Sequence, residues 1–276
     1  MPKPKLTAEN YKEINRTAWN SRTPIHLESE FYNLNGFLNG DNSLNEIELN
    51  LLGEIQGQSI LHLQCHFGQD SLSLSRLGAK VTGMDISDQA ISKAKQLAKD
   101  LQLDTKFICC DIYELPQYLD EKFDIILTSY GTIGWIPNLD QWAKTIHHFL
   151  KPGGQFVFVE FHPIVWMFDD NFENIGYRYF NSGAIIETLN GTYADHEAEI
   201  SQDYVMWNHG LSEVITSLIQ NGLEIKSLQE FDYSPYNCFQ NTIEFEPKKY
   251  RIKHLGNKIP LVYAVSAKKI TRKSLK

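Results

Sequence analysis

Between residues 59 and 161 the chain alternates short apolar runs with longer amphipathic ones, and this rhythm restricts the fold most. SILHLQ (59–64), KVTGMD (80–85), TKFICCD (105–111), FDIILTS (123–129) and QFVFVEF (155–161) read as strands. FDIILTS has the continuous apolar run of a strand buried on both faces. Between the strands, Ala90, Ile91, Ala94, Leu97, Ala98 and Leu101 follow helical spacing behind Ser87 and Asp88, which suit a helix start. Leu139, Trp142, Ala143, Ile146, Phe149 and Leu150 mark another helix, stopped by the turn KPGG (151–154). A further helix is expected from near Asp70 to Leu77, on poorer apolar spacing. Strands and helices alternating at this interval predict an α/β fold with a doubly wound, mostly parallel sheet. Ligands of such sheets bind at the carboxyl ends of the strands, beside the topological switch point.

The rhythm is absent on either side. Residues 1–53 read as a polar, aromatic helical cap, with 54–162 as the core. Residues 163–208 are rich in Trp, Phe and Tyr and carry Asn190–Gly191, so an inserted flap with a hairpin around that turn is expected. From 209 to 270 a helix through Leu211, Val214, Ile215, Leu218 and Ile219 precedes two last strands, LEIKSLQEF (223–231) and IPLVYAVSA (259–267). The whole reads as a single domain of seven strands.

Three strand ends carry polar groups in register: the turn Gln64–Gly68, then Asp85, then Asp111. An acid ending the second strand can hold both hydroxyls of a ribose, because a carboxylate offers paired acceptors. One ending the third can take the exocyclic amine of an adenine, with Ile86 and Ile112 flanking the ring. Each aspartate alone also fits a helix cap or a turn. A metal site from His62, Cys65 and His66 is disfavoured, since His62 and Cys65 leave a strand on opposite faces and zinc needs converging ligands. No metal is expected. The net charge of -8 argues against a nucleic-acid binder. Only the ends MPKPK and KKITRKSLK are basic, and they read as solvated tails. The chain lacks a signal-like opening and any apolar run of ~18 residues, and its four cysteines form no disulfide framework, so a cytoplasmic protein without membrane contact is expected.

The strand order, Asp85, Asp111, FDIILTS and FLKPGGQFVFVE together resemble class I S-adenosylmethionine-dependent methyltransferases over roughly residues 55–162. LHLQCHFGQDSLSLSRLGAKVTG is similar to a subgroup of bacterial small-molecule enzymes with an altered first motif. His62 stands where that motif usually has an acid, Gln64 and His66 replace its first two glycines, and Gly68 remains. The resemblance implies a seven-stranded Rossmann-like fold and S-adenosylmethionine as cofactor. It implies contacts from Gln64, Cys65, His66, Gly68, Asp85, Ile86, Asp111, Ile112, Ser129 and Trp19.

In that setting Gln64 could donate its amide to the methionine carboxylate, and His62 could meet the ammonium through a neutral ring nitrogen or a water. Tyr11, Trp19, Arg22 and His26 are the reaching side chains of the amino-terminal segment. His162, just beyond the fifth strand, is the candidate general base, with Tyr130 next and His209 weaker. A histidine in that place also serves as a structural hydrogen-bonder. The expected partner is a small-molecule methyl acceptor. The alternative is a ligand-binding protein on the same fold without turnover; a nicotinamide enzyme is disfavoured because no G-x-G-x-x-G follows the first strand.

Overall fold

The computed structural model describes residues 6–271. The basic stretch 1–5 and the last five residues of the carboxyl-terminal tail lie outside the described residues. Before the sheet come α1 (Tyr11–Glu28), α2 (Leu34–Leu38) and α3 (Glu46–Leu52). The core then runs β1 (Ser59–Leu63), α4 (Gln69–Arg76), β2 (Lys80–Asp85), α5 (Asp88–Asp100), β3 (Lys106–Cys109), β4 (Phe123–Ser129), α6 (Leu139–Phe149) and β5 (Leu150–Phe161). After it come β6 (Ile185–Asn190), β7 (Ser201–Met206), α7 (Leu211–Gln220), β8 (Leu223–Phe231), β9 (Thr242–Glu246), β10 (Lys249–Ile252) and β11 (Val262–Lys269).

Seven strands form one sheet in the order β3-β2-β1-β4-β5-β11-β8. β1 pairs in parallel with both β2 and β4, and β11 runs antiparallel to β5 and β8. The chain moves outward from β1 to β3, then crosses back to β4, so the switch point lies between β1 and β4.

The alternation of side chains along β1 divides its contacts between two layers. Leu61 and Leu63 join the α6–α7 side with Trp142, Val214 and Leu218. Ile60 faces the opposite layer with Leu74 and Val81. Trp142 is fully buried and meets Phe156 and Phe158 edge-on at 5.5 and 5.3 Å between ring centroids. Ser87 caps α5 by accepting from the Ala90 amide, as its position before the apolar periodicity predicts.

Several boundaries differ from expectation, the last strand among them, which runs Val262–Lys269 rather than 259–267. β3 stops at Cys109, and Asp111 sits in the following turn, accepting from the Tyr113 amide at 3.0 Å. β5 begins at Leu150, its pairing with β4 shifting register across the KPGG segment. β6 and β7 pair with Asn190 opposite Ser201, so residues 191–200 rather than a two-residue turn connect them. The small β9–β10 sheet was not expected, because TIEFEPKKYRI is too charged to show an apolar face.

Trp142→Ala should lower unfolding free energy by about 3–5 kcal/mol, since a large cavity would open between α6 and β5. Urea unfolding followed by tyrosine and tryptophan fluorescence measures this; a loss under about 1 kcal/mol would mean the layer repacks.

Candidate active site

The turn after β1 takes the shape a glycine-rich loop takes, with other residues. Gln64 and His66 both have left-handed backbone, φ 53° and 52°, and Gly68 follows at φ 77°. Each non-glycine residue there costs on the order of 1 kcal/mol. The turn is pinned from the neighbouring strand: the His66 amide donates to Asp85 Oδ2 at 2.8 Å, and the Ser87 amide to Oδ1 at 2.9 Å. The Cys65 amide donates to the Met84 carbonyl at 2.9 Å. Gly68 is required twice over, by its φ and because a Cβ there would lie 2.6 Å from the Phe107 ring. Burial raises the Asp85 carboxyl to about 6, against the lowering effect of the amides it accepts from.

A second left-handed turn follows β4, at Tyr130 (φ 47°) and Gly131 (φ 72°). Glu160, buried at the end of β5, accepts from the amides of Gly131, Thr132, Ile133 and Phe161 and from the Thr132 hydroxyl. Burial still raises its pKa. The two turns are joined directly, because Gln64 Nε2 donates to the Thr132 carbonyl at 2.9 Å.

Helix α1 lies across the carboxyl ends of these strands with a polar rather than apolar face. Lys12 Nζ is 3.2 Å from Asp111 and 2.7 Å from Glu114. Arg16 donates to the Ile86 carbonyl at 3.3 Å, and Asn20 accepts from the Ser87 hydroxyl at 2.7 Å. Asn15 exchanges two hydrogen bonds with the backbone of Val205 in β7. Further along, Arg22 and His26 are buried beside Trp19, His66 and Trp135. His26 Nδ1 is 2.9 Å from His66 Nε2. Burial, then the neighbouring histidine and Arg22, lower His26 to about 2; burial and Arg22 lower His66 to about 3. Both rings are therefore neutral at pH 7.

The residues read from sequence are only partly gathered here. Gln64, His66, Gly68, Asp85, Asp111, Ile86 and Trp19 surround the β1 turn and the α1 face. The Cys65 side chain is turned into the core with Phe67 and Phe107, so only its backbone faces the turn. Ile112 is likewise packed in the main core. His62 bonds Ser71 Oγ at 2.8 Å and lies 3.5 Å from Ser129 Oγ, apart from Cys65. Tyr130 donates its hydroxyl to buried Glu48 at 2.7 Å. His162 Nδ1 accepts from the Ile164 amide, and its Nε2 lies 3.0 Å from Glu230, off the hydrogen-bonding direction. His209 is held by Glu213 and the Ile136 carbonyl. Glu160 was missed, because an acid inside an apolar strand carries no local motif. Tyr32 and Tyr193, stacked or tilted against His26, were missed because they come together only in the fold.

Residues 60–154 match the family model described as a methyltransferase domain. The core is thus similar to a methyltransferase domain. An uncharacterized methyltransferase of Synechocystis is 30% identical to the chain over 131 residues, 47% of this chain and 59% of that protein. The ubiquinone biosynthesis O-methyltransferase of Coxiella burnetii is 30% identical over 135 residues, 48% of this chain and 57% of that protein. The chain thus spans somewhat over half the length of these relatives. Among solved structures, a Mesorhizobium loti S-adenosylmethionine-dependent methyltransferase superposes with a TM-score of 0.56, 19% identity and coverage of 84% of this chain and 99% of that one. Geranyl diphosphate C-methyltransferase of Streptomyces coelicolor gives 0.60 at 14% identity, covering 95% and 99%. At these identities the structural likeness shows the fold alone. None of its described helices is long and apolar enough to cross a membrane.

Buried, neutral histidines under the domain's turn give it a pH dependence. Burial lowers His62 to about 4 from an ordinary 6.5. The unfolded chain then takes up a proton the fold does not, so the stability present above pH 6.5 is lost as pH falls towards 4. His62→Asn should reduce the acid-induced loss between about pH 7.5 and 5 by roughly 2 kcal/mol. Urea unfolding at the two pH values measures it; equal losses in both proteins would show that His62 is charged in the fold.

Proposed function

We propose that the chain transfers a methyl group from S-adenosylmethionine to a small-molecule acceptor, as one domain comprising the core, the α1–α3 segment and the 163–208 flap. The observation that carries this reading is the placement of Asp85 and Asp111 at successive strand ends beside a left-handed turn at the switch point. The match of residues 60–154 to a methyltransferase domain supports it.

The residues present fit such a cofactor. Gln64 Oε1, His66 Nδ1 and His26 Nε2 are buried polar atoms with no hydrogen-bond partner among the described residues, all around the β1 turn. Natural interiors rarely leave such atoms unpaired, so they ask for a polar ligand. Asp85 would hold the ribose hydroxyls and Asp111 the adenine amine, with Lys12 giving up its contact to Asp111. Ile86 would lie against the ring; Gln64, His66, Gly68 and the Cys65 backbone would shape the methionine end, with Trp19 closing over it. When bound, the cofactor supplies an electrophilic methyl group for in-line displacement. The chain's own part is to align the acceptor and exclude water. Tyr130 and His162 act as positioning groups, because each is already engaged by neighbouring structure, and Ser129 lines the β4 end.

The relatives' names span an O-methyltransferase and a C-methyltransferase, which fits a fold whose acceptor is set by the cap and flap.

S-adenosylhomocysteine should raise the melting temperature and NAD should leave it unchanged; no shift with the former would end this reading. Asp85→Ala should weaken S-adenosylhomocysteine binding about tenfold or more in isothermal titration, since a charged acceptor is lost. Unchanged binding would move the ribose elsewhere.

A further inference from the structure

A small cavity lies beside the β4 turn, lined by Gly131, Phe161, Trp166, Met206, Trp207 and Tyr263, with Glu160 and His209 at its edge. Its volume of about 20 Å³ is room for one water-sized group. Tyr263 stands on β11 directly across from Glu160 on β5 and is fully buried. Its hydroxyl nevertheless has no hydrogen-bond partner among the described residues. Burial, then the Glu160 carboxylate and Tyr179, hold this hydroxyl well above the usual phenol range, so it keeps its proton. A buried donor left unpaired is costly and rare in folded interiors, and a ligand that accepts from it removes the cost.

The other polar groups at the cavity are already engaged. The Glu160 carboxylate takes the amides of Gly131, Thr132, Ile133 and Phe161 and the Thr132 hydroxyl. Both ring nitrogens of His209 are used, one on Glu213 and one on the Ile136 carbonyl. No lysine or arginine among the described residues lines the cavity, so an anion would meet Glu160 without a counter-ion. A cation would find the acceptor positions of Glu160 taken and would leave the Tyr263 hydrogen unpaired. The remaining walls are aromatic or apolar, which suits a flat ring. Met206 is the adaptable one: its Cε lies 2.9 Å from where a Cβ on Gly134 would stand, and its unbranched chain can give way.

We propose that this cavity is the inner end of the methyl acceptor's site, where Tyr263 donates to an uncharged phenolic or carbonyl oxygen on a planar ring. The inference rests on the methyl-transfer reading above. The cavity borders Gly131, in the turn that Gln64 ties to the β1 turn through the Thr132 carbonyl. It makes acceptor choice a matter of charge as well as shape.

Ligand-observed NMR titration of the protein saturated with S-adenosylhomocysteine tests this with five single-ring probes: phenol, acetophenone, toluene, benzoate and benzylamine. In the wild type, phenol and acetophenone should bind at least about fivefold tighter than the other three. Tyr263→Phe should abolish that advantage and leave toluene binding unchanged. It should also leave the midpoint of urea unfolding unchanged or higher, because the hydroxyl has no partner to lose. A purely structural hydroxyl gives the opposite pattern, a lower midpoint with all probe binding unchanged. That pattern, or tighter binding of benzoate or benzylamine than of phenol, would overturn the assignment. If S-adenosylhomocysteine binds and neither phenol nor acetophenone does, the cavity assignment alone falls. If S-adenosylhomocysteine itself does not bind, the methyl-transfer reading falls and the acceptor role with it.

Discussion

The Asp85 carboxylate is the contact on which the rest of the site depends. It takes the His66 amide from the β1 turn and the Ser87 amide from the start of α5, binding two strand ends and a helix start to one group. Backbone amides bonded to a charged acceptor contribute more than those bonded to a carbonyl, roughly 1.5–3 kcal/mol each. That is enough to offset the left-handed conformations of Gln64 and His66, each on the order of 1 kcal/mol. The chain therefore holds a left-handed turn of the glycine-loop kind with Gln64 and His66 in it. What it gains is two polar side chains at places where a glycine would leave only backbone.

Helix α1 shows the same preference for polar attachment. Its buried residues include Asn15, Arg22, Thr23 and His26, with Ile14 and Ala18 as the apolar minority. A helix fixed by hydrogen bonds and ion pairs to strand ends, rather than by an apolar stripe, has a direction-specific fit. Lys12 on Asp111, Arg16 on the Ile86 carbonyl and Asn20 on Ser87 follow one another up the helix at intervals of four residues. Shifting α1 by one residue would misalign all three. On its other side α1 is held to β7 by the two Asn15 bonds to Val205 and by Ile14 packing on Val205 and Trp207.

This explains what could be read from sequence. The core strands and α5 and α6 were legible because their apolar spacing decides their burial, and Ser87 was legible as a cap. Asp85 and Asp111 could be placed because both lie at or just past strand ends in a regular alternation. Arg22 and His26 could be named as reaching residues, but their enclosure by Trp135 after β4 and by Tyr193 and Gln202 of the flap is a tertiary arrangement that no local pattern encodes. Glu160 illustrates the limit most sharply. Its neighbours Val159 and Phe161 read as plain strand, yet its carboxylate organises a turn 27 to 29 positions earlier in the chain. The β9–β10 pair escaped for the opposite reason, being held by backbone bonds under a charged sequence.

The two left-handed turns belong to neighbouring strands on either side of the switch point, and each is clamped by a buried carboxylate that accepts its backbone amides. The β1 turn is held from β2 by Asp85, the β4 turn from β5 by Glu160, so each is fixed from its outer side. The inner side, where β1 and β4 meet, is spanned by the Gln64 amide reaching the Thr132 carbonyl. Had a glycine stood at 64, this link would be absent and the turns would be coupled only through the sheet. Gln64 thus supplies a cross-brace between the two turns. The other half of the Gln64 side chain, Oε1, has no hydrogen-bond partner among the described residues.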